Sequence, residues 1–384
     1  MVVTFYSLPE SKMNMKVSSV SLEGNINTHT EEQMSSHKTI DNEEAYDVYV
    51  NTAVFKTMKP LFQSLQVFGL YHAKNYGPVK DYLESKLKNG KRFNKKECEK
   101  RITLSMVNAW IVFAIFLIYY LRMYSTWASG SLSFGEELLN KLTLLSHYSL
   151  LFLSLLACIR ASHNFNAIPK FCIEFDRLLK ERDIELDLGY LRKLTVMTVG
   201  FSWASTILGT GVLSYCTWLN PVVNEFMFAP LALDDKNIFI LKIIVQILTP
   251  HAMAFFFMPL ALDFILCMCL FKLFQRWRDC FRQKSSKGLS TQDFIKERHN
   301  HQKICHLVDN VNDILSLYKA ACFLFNTANV LFILYSMINI PAGPGRVGSM
   351  LAHAAWMGMC FGTLMLTCIN SACVHSMVSS IKVF

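Results

Sequence analysis

IFILKIIVQILTPHAMAFFFMPLALDFILCMCLF, residues 238–271, is followed at once by Lys272, Arg276, Arg278, Arg282, Lys284 and Lys287. About 20 apolar residues suffice to cross a hydrocarbon layer of roughly 30 Å. This run is longer: at about 1.5 Å per residue it reaches about 50 Å. It therefore reads as a membrane-spanning helix that continues into the cytosol on its basic side. Pro250 and Pro259 are expected to kink it, because a proline ring displaces the carbonyl four residues before it. Asp263 is the one carboxylate deep inside the run. An intramembrane acid is costly unless paired or hydrated, so it is a functional candidate by default. The structural reading is preferred: it lies near the cytoplasmic boundary and meets a cation such as Lys272 or Arg276.

Working outward, five further stretches match the same template, giving spans of roughly 102–125, 139–160, 193–217, 238–271, 319–340 and 348–373. The connection between the second and third carries Arg160, Lys170, Arg177, Lys180, Arg182, Arg192 and Lys193. That between the fourth and fifth continues through Lys296, Arg298, Lys303 and Lys319, whereas the opposite connections hold only Lys141, Lys236 and Arg346. Short basic loops stay cytoplasmic, so the amino terminus is expected inside, and six crossings return the chain to the same side. The fold class expected is an all-α polytopic membrane protein with six transmembrane helices.

Composition agrees: 52% of residues are hydrophobic, 17% charged, and the mean hydropathy is +0.27. Soluble domains carry about a quarter charged residues. The net charge of +9 resides in the connections and no basic face is interleaved with aromatics, so topology explains it better than nucleic acid does. Of the 12 cysteines, Cys158, Cys267, Cys269, Cys322, Cys360, Cys368 and Cys373 lie in or beside apolar runs, where a thiol behaves as a small hydrophobe, and no CxxC pair occurs.

Before the first span, residues 1–46 lack apolar periodicity and read as a disordered cytoplasmic tail without a cleavable signal. Residues 47–101 read as an amphipathic surface or re-entrant helix followed by a basic linker. In the helix Val50, Val54, Phe55, Met58, Leu61, Phe62, Leu65, Phe68 and Gly69 recur at helical spacing, interrupted by Lys56 and Lys59. Residues 102–373 form the transmembrane domain and 374–384 a short cytoplasmic end.

Candidate ligand-binding residues gather in the outer halves of the spans: His147, Tyr148, Tyr215, Gln246, His251, Tyr335, His353 and Trp356, with Tyr119, Tyr120, Tyr124 and Trp218 nearby. Stacking faces ringed by a few hydrogen-bonding groups suit a small neutral ligand between helices. Tyrosine and tryptophan also serve as ordinary interfacial anchors. His299, His301, Cys305 and His306 cluster without a regular zinc spacing, so packing or solvation is the expectation. Asp176-Arg177 resembles the acid–arginine pair of G-protein-coupled receptors but follows the second span rather than the third, and reads as chance in a charged loop. No phosphate loop, nucleophile elbow or desaturase-like histidine signature is present, so no enzyme, cofactor or metal is expected. A G-protein-coupled receptor, a transporter and a membrane enzyme remain as competing classes.

Several segments resemble the insect gustatory receptor family. Lys59-Pro60-Leu61 followed by Phe68-Gly69-Leu70 is similar to that family's opening helix. The run 298–316, with His306-Leu307-Val308-Asp309 and Val311-Asn312-Asp313-Ile314-Leu315-Ser316, is similar to the cytoplasmic helix before the fifth span. Asn329, Tyr335, Trp356 and residues 367–380 continue the likeness. The resemblance implies an insect chemoreceptor-like subunit of a ligand-gated, nonselective cation channel in the plasma membrane. It also implies a homo- or hetero-tetramer, a small-molecule tastant held in each subunit's outer half, and contact with membrane lipid. The 309–316 segment is similar to the sugar-responsive branch. The family's seventh, pore-lining span carries Thr-Tyr, five apolar residues and Gln-Phe; no such motif follows the sixth span before Phe384, which implies a chain cut short of that helix.

Overall fold

The computed structural model describes residues 52–71, 104–129, 136–163, 167–182, 184–219, 235–286, 288, 290–338 and 346–379. The expected tail (1–46), the basic linker (72–101) and the last residues lie outside them. Among the described residues there are eight helices and no strand: α1 Ala53–Val67, α2 Leu104–Ser129, α3 Glu136–His163, α4 Ala167–Arg182, α5 Leu188–Leu219, α6 Asp235–Ser286, α7 Thr291–Ile338 and α8 Arg346–Ser379.

α6 is the axis of the bundle. From Ala252 to Pro259 every residue is buried, and the helix packs against α1, α3, α5, α7 and α8. Its 52 residues, about 78 Å at the usual rise, run unbroken through Pro250 and Pro259. α7 is nearly as long at 48 residues and joins the expected fifth span to the polar segment before it as one helix. Both exceed the thickness of a bilayer's hydrocarbon core. The outward faces of α5, α7 and α8 are apolar, with Met197, Phe201, Leu208, Phe323, Leu331, Phe361 and Ile369 exposed. Within α5 the hydroxyls of Thr195, Thr198, Thr206 and Thr210 each donate to the carbonyl four residues earlier, so these polar groups are satisfied inside their own helix.

Four of the eight, α5 to α8, contain stretches long and apolar enough to cross a membrane. The first two expected spans correspond to α2 and α3, whose apolar stretches, Val107–Arg122 and Leu145–Arg160, are shorter and each end in an arginine.

α1 starts with Thr52 as its cap, the hydroxyl accepting from Phe55 N–H at 3.2 Å. It ends at Gly69, whose φ of 72° lets Leu70 N–H reach back to the Leu65 carbonyl. A side chain at Gly69 would stand 3.2 Å from the Ala109 backbone, so this corner sets how closely α1 approaches α2. The expected apolar stripe, Val54, Phe55, Met58, Leu61, Phe62 and Leu65, is buried against α4, α5 and α6, so protein covers it.

The connection between the second and third expected spans contains α4 rather than a loop. Ile168, Phe171, Cys172, Phe175 and Leu178 form its buried face. Asp176 is buried here, accepts from the Ala53 N–H at 3.1 Å, and pairs with Lys180 at 2.9 Å. It ties α4 to the first turn of α1, where a carboxylate also meets the positive end of the helix dipole.

Candidate ligand site and buried ion pair

Packing of α2, α3, α5 and α6 leaves a small cavity of about 30 Å³ lined by Ile115, Phe116, Tyr119, Tyr148, Leu213 and the Val245–Ala252 face of α6. Tyr119 and Tyr148 meet there with ring centroids 5.1 Å apart, and the Arg122 guanidinium lies 5.7 Å from the Tyr119 ring. Neighbouring positions on α3 face different ways. Tyr148 lines the cavity, while His147 lies against Trp356 of α8 at 5.1 Å and Phe256 of α6 at 5.9 Å.

The other expected site residues separate. Gln246 donates to the Ser214 hydroxyl across α5 and α6. His251 sits edge-on to Phe68 at the end of α1, 5.9 Å away. His353 is half-buried, and Tyr215 and Tyr335 are exposed on the outer surface of the bundle. The structure thus brings His147 to Trp356 and Tyr148 to the cavity, and leaves Tyr215 and Tyr335 away from both. Residues not singled out from sequence, Phe116, Leu213 and Thr249, supply much of the cavity wall.

Asp263 is fully buried. Lys319 Nζ lies 3.2 Å from its Oδ1, the Asn370 side-chain amide donates to Oδ2 at 2.9 Å, and the Cys267 thiol lies 3.7 Å from Oδ1. The partner is therefore Lys319, one helix away, and not Lys272 or Arg276 as expected. Lys272 instead points to the Tyr190 ring, 5.2 Å away, and Arg276 is exposed. Depth explains the choice: three helices, α6, α7 and α8, meet at Asp263, and only a donor at that level can reach a buried carboxylate.

The extended ends of α6 and α7 form a second polar region. Glu297 is buried and accepts from Trp277 Nε1 at 3.2 Å, Lys284 at 2.8 Å and Asn300 at 3.1 Å. His301 packs beside Trp277 at 5.5 Å, with the Cys305 sulfur 3.6 Å from its Nε2. Among the described residues no group of three or more histidine, cysteine or acidic side chains is arranged to hold a metal ion. α4 clamps this region: Lys170 donates to Asn310, Asn310 donates to Glu174, and Lys303 pairs with Glu181 at 2.9 Å.

Fold and site together define an all-helical bundle with several membrane-length helices, a cavity among them and a charged extension at one end. No protein-family model matches the sequence, and no curated protein does. Among solved structures the chain is similar to the insect olfactory receptor OR5 from Machilis hrabei, with a TM-score of 0.51 over 86% of this chain and 81% of that one at 15% identity. At that identity the shared property is the fold.

Proposed function

We propose that this chain is a chemoreceptor subunit of the gustatory type, a multi-pass plasma-membrane protein that gates a nonselective cation conductance in response to a small tastant. The single observation that carries the reading is the fold shared with an insect olfactory receptor over most of the chain, to which the distribution of charge adds independent support. In this reading six helices, α2, α3 and α5 to α8, cross the membrane with the amino terminus in the cytosol, and subunits assemble as tetramers, alone or with related chains. The extensions of α6 and α7 lie beneath the bilayer. Sugars are favoured over bitter compounds, on the resemblance of residues 309–316 alone.

The ligand sits around Tyr148, His147 and Trp356, where the cavity and the aromatic cluster adjoin on α3. It acts by binding one arrangement of the helices better than the other, since only differential affinity shifts a conformational equilibrium. The test is tastant-evoked current in cells expressing this chain alone and together with related receptor subunits. Tyr148→Ala and Trp356→Ala should each shift the half-maximal concentration by at least about tenfold, about 1.4 kcal/mol. An unchanged dose dependence in both removes these residues from the site, and absence of current when the chain is joined with subunits that carry the pore-lining span removes the channel reading.

A further inference from the structure

From the buried ion pair upward α7 carries a polar stripe whose far end is unsatisfied. Lys319, Cys322, Asn326 and Asn329 follow one another at three- and four-residue spacing, so they share one face of the helix. Asn326 and Asn329 are completely buried, and neither the nitrogen nor the oxygen of either amide has a hydrogen-bond partner. Ser154 Oγ and His147 Nδ1 on α3 are buried in the same condition. α7 packs against both α3 and α8. The Ser146 hydroxyl donates to the Phe325 carbonyl at 3.3 Å, which sets the His147 level of α3 beside the Asn326 level of α7. Lys319, Asp263 and Asn370 fix the lower end of the stripe.

Two side-chain amides with all four of their polar atoms unpaired inside a helical bundle are strongly unfavourable unless something supplies both donors and acceptors. An asparagine side chain offers two N–H donors and a carbonyl, and the group that answers both is a hydroxyl. A charged partner fits poorly, because the Asp263–Lys319 pair already neutralises itself and would leave an added ion uncompensated. We propose that the α3–α7–α8 interface is a binding site for neutral hydroxyl groups, with Asn326 and Asn329 as its donor–acceptor pair. The hydroxyl belongs to resident water or to a bound polyol; the chemistry is the same. Asn326 and Asn329 lie outside the lining of the α2–α3–α5–α6 cavity, while His147 borders both regions, and only the polyol form of the site rests on the receptor reading.

The test is thermal unfolding of the full chain in lipid nanodiscs, a readout that needs no channel activity and therefore fails or succeeds independently of the receptor assignment. Asn326→Ser/Asn329→Ser is compared with Asn326→Ala/Asn329→Ala, which match in size and differ in whether the side chain can bind a hydroxyl. The serine pair should unfold at least about 2 °C above the alanine pair. Equal or reversed order overturns the site. If either double variant fails to fold, Asn329→Ser against Asn329→Ala decides by the same criterion. Xylitol then separates the sources in the supported case. Saturable stabilisation of the wild type beyond that of the alanine pair assigns the hydroxyl to a ligand, and equal effects on both assign it to water.

Discussion

At the scale of single residues, the contact with most at stake is Asp263 with Lys319. A carboxylate and an ammonium buried together are roughly neutral to stability compared with well-packed apolar residues, but removing one partner leaves an uncompensated charge and costs about 3–5 kcal/mol. Lys319→Met should therefore destabilise by an amount in that range, whereas Asp263→Leu/Lys319→Met should recover most of the loss. A double-mutant cycle on denaturant unfolding in detergent measures both, and additive single effects would show that the pair does not interact. Asp263 was legible from sequence as the carboxylate deep in 238–271. Its partner was not, because Lys319 stands at the entrance of another span and its depth depends on how α6 and α7 are offset. Asn326 and Asn329 carried the same signal as Asp263, a polar side chain within an apolar run, but an amide attracts less notice than a charge.

Among elements, α4 shows what a charge-based reading overlooks. Its cations mark the connection as basic, and that property hid the repeat of Ile168, Phe171, Cys172, Phe175 and Leu178, which by spacing alone specifies a helix with one buried face. Once α4 is a helix, Asp176-Arg177 ceases to be a chance pair: Asp176 holds α1, while Arg177 and Lys303 bracket Glu181. Those donors, Lys303 foremost, hold the Glu181 carboxyl down to about 2, against an ordinary value of 4.5. A carboxyl depressed in the folded state stabilises fully above its ordinary value and loses that contribution as pH falls toward the folded value. The α4–α7 clamp should therefore weaken in acid between about pH 5 and 2, with little change near neutrality. Denaturant midpoints across that interval measure it: the slope should flatten in Lys303→Met, and an unaltered slope would exclude Glu181 as its source. α1 was legible in outline, since its apolar stripe is periodic. What covers that stripe was not, because lipid and protein impose the same pattern on one helix.

For the whole molecule, the long apolar runs specify the all-helical class, and the excess length of 238–271 agrees with a helix, α6, longer than a bilayer's hydrocarbon core. Tertiary placement of the ligand candidates was the least legible part. Aromatic residues serve equally as interfacial anchors and as pocket walls, and Tyr215 and Tyr335 prove to face outward while Tyr148 faces in. The proposed orientation rests on charge alone: the basic residues cluster on α4 and its flanks and on the extensions of α6 and α7, and moving that many cations across a membrane is opposed at every step. Lys180 and Arg276, both exposed, should therefore lie on the side of the bilayer that holds the amino terminus. An epitope at the amino terminus should stain only after permeabilisation. Cysteines introduced by Lys180→Cys and Arg276→Cys should react with a membrane-impermeant maleimide only then, above the background of the exposed Cys368 and Cys373. Staining of the terminus on intact cells would invert the bundle, put the charged extensions outside, and favour a G-protein-coupled type of receptor over a gustatory-type channel.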